Sequence, residues 1–550
     1  MDGKIVIYQI FTRLYGNRNT NRKENGTIEE NGCGKMNDFT PTTLKKIREM
    51  GVSHIWYTGI IRHATQTDYS GYGIPRNHSA IVKGKAGSPY AITDYYDIDP
   101  DLATNVSERM MEFEQLLERT HKAGMKVIID FVPNHVARQY HSVCKPEGVR
   151  DLGEDDNPQN GFDPQNNFYY CPGQLFSPYF DLYHGETAPY IEEPAKATGN
   201  DCFHNAPGMN DWYETVKLNY GVDYYAGRVG HFNPIPNTWS KMTDILLFWA
   251  KKGVDGFRCD MAEMVPAEFW RWATDKVKFI YPDKIFIGEV YNPAEYRNYL
   301  GAGFDFLYDK VGMYDTLREV IRGQQSTHAI TSAWQQTDDI RDHMLYFLEN
   351  HDEQRVASSF FAGDARKGIP GLVVAALLQQ NPLMIYAGQE YGERGMDHEG
   401  FSGNDGRTSI FDYWSVGSLV RAAERKLNKE EKALKEMYDK VITIARSEKA
   451  VCQGASFDLM YVNSGYHRQY AFLRKAESET LLVVSNFDGV SAIMNVVIPA
   501  HAFDYLKIKE KNVVAKDLLS GQGMRMTLKR DQAIAVEIQP QSAVVLKFKA

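Results

Sequence analysis

Short apolar runs recur along most of the chain, and several are followed by a stretch of helical period. "KIVIYQIFTRLYG" (4–16) opens the series, "TPTTLKKIREMG" reads as a capped amphipathic helix, and "VSHIWYTGI" follows it. "VSERMMEFEQLLERTHKAG" leads in the same way into "MKVIIDFVPNH", "TWSKMTDILLFWAKKG" into "VDGFRCD", and "PAEFWRWATDKVKFIYP" into "DKIFIGEV". "FDFLYD", "HMLYFLENHD" and "PLMIYAGQE" complete eight candidate strands. Strands alternating with helices predict a parallel sheet, since a parallel neighbour needs a crossover. Strands apolar on both faces, eight in number, favour a closed (β/α)₈ TIM barrel; an open doubly wound sheet shares the alternation.

Two regions break the rhythm. Residues 136–235, after the third strand, are rich in Asn, Pro, Gly and Tyr ("DDNPQNGFDPQNNFYYCPGQLFSPYF"), and so long an irregular stretch reads as an inserted subdomain. From 450 onward short alternating runs appear ("QYAFLRK", "TLLVVSNF", "MNVVIP", "AIAVEI", "SAVVLKF"), which predict an all-β module of antiparallel sheets. The expected division is therefore a barrel over 1–135 and 236–449, an insert over 136–235, and a C-terminal β-sandwich over 450–550.

Composition narrows the partners. A net charge of −9 argues against nucleic acid and against an anionic membrane surface. No apolar run reaches transmembrane length, so no membrane partner is expected. Aromatics make up 12% of the chain, which suits a surface that stacks on flat uncharged ligands. The six cysteines are scattered without C-x-x-C spacing, and the N-terminus lacks the shape of a signal peptide. A reducing, cytoplasmic setting is the expectation, a removed export signal the alternative.

In such barrels chemistry sits at the C-terminal ends of the strands. The third strand ends in Asp130, Asn134 and His135, the fourth in Arg258 and Asp260, the fifth in Glu289, and the seventh in Asn350, His351 and Asp352. Each alone also reads as a strand-end cap or an ion pair. Their convergence on one mouth offers either a metal site or acid/base chemistry. Two carboxyls at short range suit a retaining glycosidase, one as nucleophile and one as acid/base. An arginine one residue from the nucleophile would favour its ionised form.

At this point the segments resemble a known family. "DFVPNH" (130–135), "GFRCD" (256–260), "GEV" around Glu289 and "ENHDEQR" (349–355) resemble, in order and spacing, the four signature segments of the α-amylase family, glycoside hydrolase family 13. "YAITDYYDIDP", "GQEYGE" and "RTSIFDYW" extend the likeness over essentially the whole chain, towards an α-amylase/neopullulanase-like member. The resemblance implies Asp260 as nucleophile, Glu289 as general acid/base and Asp352 as the carboxylate that binds sugar hydroxyls. It implies Arg258, His135 and His351 as hydrogen-bond donors, Tyr90 as a stacking platform, Arg355 as a supporting partner, and Asp130 as structural.

The implied reaction is retaining hydrolysis of α-1,4 bonds in starch-derived glucans and maltooligosaccharides. The alternatives are a cyclomaltodextrinase or neopullulanase type, a transglycosylase, or a non-catalytic binding member. Departures lie at Glu263 and Met264, where typical α-amylases carry Lys-His, while "TVKLN" (215–219) resembles the neopullulanase segment. No cofactor is required by the chemistry. Calcium is a candidate at Asn134, and again at Asn17, Asn19 and Asn21 in an oxygen-rich loop without carboxylates.

Overall fold

The structure, a computed structural model, describes residues 3–399, 401 and 403–549. Eight parallel strands close into a barrel: β1 (Val6–Phe11), β2 (His54–Thr58), β3 (Lys126–Phe131), β4 (Gly256–Cys259), β5 (Ile285–Gly288), β6 (Phe306–Tyr308), β7 (Met344–Phe347) and β8 (Leu383–Tyr386). All eight coincide with the apolar runs read from the sequence. They are buried on both faces because helices wrap the outside and side chains fill the inside.

The amphipathic segments form the helical ring, with α1 (Pro41–Glu49), α2 (Arg109–Lys122), α3 (Asn237–Lys252) and α4 (Ala267–Ile280) preceding β2, β3, β4 and β5. Helix α1 starts where expected: Thr40 accepts from the Thr43 N–H, and Pro41 occupies the first turn, where its missing N–H costs nothing. Helix α5 (Ile369–Leu377), between β7 and β8, has no apolar stripe to reveal it, because every one of its residues is buried. It lies between the barrel and the C-terminal sheet. Its last carbonyls accept from Lys4 Nζ (2.7 Å to Ala376) and from Arg474 Nη1 (2.9 Å to Leu378), two cations suited to a helix C-terminus.

Residues 136–235 carry only short strand pairs, such as His135–Ala137 with Thr215–Lys217. The C-terminal domain is antiparallel as expected. Strands β9 (Ala455–Asp458), β10 (Gln469–Ala476), β11 (Glu479–Asn486), β12 (Ala492–Val497), β13 (Lys511–Asp517), β14 (Gly523–Leu528), β15 (Ala533–Ile538) and β16 (Ser542–Lys549) build it. Its larger sheet runs β9-β10-β11-β16-β13-β14, and β12 pairs with β15.

Register positions the carboxylates. Arg258 on β4 lies beside Asp130 on β3 and Ile287 on β5. The ladder continues past the strand ends, with Asp260 N–H donating to Phe131 O and Glu289 N–H to Cys259 O. Asp260 and Glu289 therefore sit level at the mouth, and the two-residue period of a strand puts Arg258 and Asp260 on one face.

Candidate active site

Arg258 is the hub. Its Nη1 donates to Asp260 Oδ1 at 2.6 Å and its Nη2 to Glu289 Oε2 at 2.7 Å. Its Nε reaches the Tyr308 hydroxyl at 3.3 Å, and its guanidinium lies over the rings of Trp56 and Tyr90. A buried guanidinium is tolerated because carboxylates and aromatic faces surround it.

The arginine thus hydrogen-bonds two carboxyls and lies within 3.6 Å of a third, Asp130, where the sequence suggested one. Burial pushes the Asp260 carboxyl well above the usual range, and Arg258 opposes that shift without cancelling it. Asp352 is raised to about 7, by burial and then by the charge of Glu289. Its side chain is still a third open to the cleft, so solvent moderates that shift. Glu289 is held by three donors: Arg258 and the Met261 N–H (2.8 Å) on Oε2, and the Tyr291 hydroxyl on Oε1. To give a proton to a glycosidic oxygen, one carboxyl oxygen has to leave this set.

Asp130 is locked behind the cleft. It accepts from Trp56 Nε1 (3.0 Å), the Gly59 N–H (3.3 Å) and the Tyr90 hydroxyl (3.3 Å). Burial raises it to about 6. Tyr90 stacks on His351 with centroids 5.3 Å apart, and its hydroxyl lies 2.6 Å from His351 Nε2. Burial, then Arg258, keeps His351 neutral. With the Gln9 amide nitrogen assigned as donor to His351 Nδ1 (2.7 Å), the ring proton lies on Nε2.

A cavity of about 390 Å³ opens over this group. Asp260, Glu289, Asp352, Tyr90 and His135 line it. His135 packs against Trp212, accepts at Nδ1 from the Asn134 amide, and is lowered to about 3 by burial. Arg258 and His351, expected to meet substrate, are 1% exposed and stand behind the lining, so they act through the side chains they hold. Arg355 is not brought to the cleft. It donates to Glu349 (2.9 Å) and Ala387 O (3.1 Å) and lies over Tyr386, which staples the turn carrying Asp352.

Sequence reasoning missed Tyr291, Trp212, Lys83 and Glu214, all on the cavity wall. Only Tyr291 left a signal, standing two residues from Glu289. Glu263, noted as a departure, accepts from the N–H groups of Tyr291 (3.1 Å) and Asn292 (3.0 Å) and so shapes that loop.

The calcium expectation meets a lysine. Asn134 Oδ1 accepts from Lys217 Nζ at 2.5 Å, and Lys217 pairs with Asp201 at 2.6 Å. The residues do not fit a calcium ion, because the oxygen it would use already faces an ammonium charge. In the 16–21 loop the oxygens of Asn17 and Asn19 accept from the N–H groups of Asn19 and Asn21, and all three amide nitrogens donate to backbone carbonyls. EDTA is therefore expected to move Tm by less than about 2 °C and to spare activity, since the oxygens of both candidate loops are already taken by protein donors. Calorimetry and rate assays with and without chelator check this, and calcium-reversible inactivation would contradict it.

A family model described as "Alpha amylase, catalytic domain" matches residues 9–485. The chain belongs to the α-amylase family. Among relatives of this family, α-amylase 3 of Dictyoglomus thermophilum is 26% identical over 74% of this chain and 75% of its own length. Neopullulanase 2 of Thermoactinomyces vulgaris is 24% identical over 71% of this chain, which spans little more than half of it (57%). Among solved structures of α-amylase-family folds, a maltogenic α-amylase from Thermotoga neapolitana superposes with a TM-score of 0.65 at 20% identity, covering 99% of both chains.

Proposed function

We propose that this α-amylase-family enzyme hydrolyses α-1,4-glucosidic bonds of starch-derived oligosaccharides with retention, through a covalent glycosyl-enzyme intermediate. The observation that carries the reading is the single guanidinium spanning Asp260 and Glu289. One fork bridging two carboxyls draws them together, which supports the shorter carboxyl separation of retaining enzymes (about 5–5.5 Å).

In the proposed sequence Asp260 attacks the anomeric carbon while Glu289 protonates the departing oxygen. An ester bond forms as the glycosidic bond breaks. Glu289, now a base, takes a proton from water, which displaces Asp260 from the opposite face. Asp352 binds hydroxyls of the reacting sugar, and Tyr90 supplies its stacking face. Two displacements restore the starting configuration, so the first product is the α-anomer. Proton NMR of early maltooligosaccharide products checks this, and β-anomer appearing first would sink the reading.

A cytoplasmic location belongs to the same proposal. All six cysteines are free thiols, which suits a reducing compartment. Among the described residues, no helix is long and apolar enough to cross a membrane.

A further inference from the structure

The cavity is walled on one side by two long irregular segments, each bearing a charged residue that the chemistry above does not use. Lys83, in the segment after β2, and Glu214, in the region inserted after β3, both line it. They form an ion pair of 3.1 Å, and Lys83 Nζ also donates to Asp211 O at 3.1 Å. Glu214 is 5% exposed, so its carboxylate depends on that ammonium.

The segment bearing Lys83 is wedged in place. The Ala86 N–H donates to Phe411 O at 3.1 Å, beyond β8. Gly84 and Gly87 adopt positive φ, and a Cβ at either would strike a backbone oxygen, of Phe411 at 2.2 Å or of Ala64 at 1.7 Å. A second tie to the insert comes from Arg76 and Ser79, both bonded to Glu186 at 2.7 Å. The Lys83–Glu214 bridge is therefore a fixed strut rather than a loose surface pair.

Barrel order says which side of the cleavage point it closes. In a ring of eight, β5 stands across from β1. Glu289, immediately after β5, has to face the leaving oxygen, so acceptor sugars extend towards β5. Donor sugars then run towards the loops beyond β8 and β2, where Phe411 and Lys83 stand.

We propose that the Lys83–Glu214 pair is the end wall of the donor side, so that the enzyme recognises nonreducing chain ends and removes short units from them. The inference rests on the α-glucan hydrolase reading above. An ammonium and a carboxylate side by side can donate to and accept from the free hydroxyl at a chain end. A chain continuing through that oxygen would have to pass the strut. A cavity of about 390 Å³ is also at the small end of the roughly 300–1,000 Å³ of ligand sites, and suits a short oligosaccharide better than a long chain.

The test compares maltoheptaose with maltoheptaose carrying an ethylidene cap on its nonreducing glucose, each followed by chromatography. The wild-type enzyme is expected to consume the capped chain more slowly by about tenfold or more. A Lys83→Ala/Glu214→Gln variant, which leaves no buried carboxylate unpaired, should bring the two rates to within about threefold of each other. Equal wild-type rates would overturn the inference and leave the hydrolase reading intact. Loss of both activities would instead sink that reading and the inference with it. A variant with a wild-type melting curve and an unchanged ratio would also overturn it, and the wild-type ratio decides alone if the variant does not fold.

Discussion

Replacing Asp260 by Asn is expected to lower kcat on maltooligosaccharides by about four to six orders of magnitude, the scale seen when a covalent nucleophile is removed. That corresponds to about 5–8 kcal/mol of transition-state stabilisation. The amide keeps the shape of the carboxyl but cannot form the ester. Arg258 loses one charged partner and keeps Glu289, so the fold should survive. Rate assays beside a melting curve check both halves. A folded variant keeping more than about one hundredth of the activity would remove Asp260 from the nucleophile's role.

The second large effect is selective. A Glu289→Gln variant should lose about 10²–10⁴ in rate on maltotriose, the usual contribution of a general acid. With α-glucosyl fluoride the leaving group needs no proton, so the first step should proceed and release fluoride. The intermediate should then persist, because no base activates water. Added azide attacks the anomeric carbon as the bond to Asp260 breaks, giving an α-glucosyl azide. A fluoride electrode reads the first step and mass spectrometry the azide product. If azide accelerates nothing and no adduct forms, Glu289 is not the acid/base.

The barrel and its acids were legible because both are local properties of strands. Eight apolar runs imply eight buried strands, and polar residues at their ends fall at the mouth whatever the loops do. The register then brings Asp260 level with Glu289, which segment order alone implied only through the family resemblance. What escaped the sequence depends on long-range packing. Arg355 lies in a motif with Asp352 but turns away to Glu349, a direction no spacing encodes. Lys83 and Glu214 meet only because two irregular segments fold across the cleft. The lysine of "TVKLN" was readable as a letter, but not as the ammonium that meets Asn134. Helix α5 was invisible to amphipathic reasoning for the opposite reason, being apolar all round.

That helix also decides how the molecule comes apart. Its flanks are shared between barrel and C-terminal sheet, and its carbonyl end is gripped from both, by Lys4 beside β1 and by Arg474 on β10. Separating the two domains would put one flank of an apolar helix into water and take from the buried Arg474 its bond to the Leu378 carbonyl. Neither half therefore has a stable surface of its own at that seam. Barrel and sheet are expected to melt in one cooperative step, with the C-terminal domain acting as a structural half of the catalytic unit.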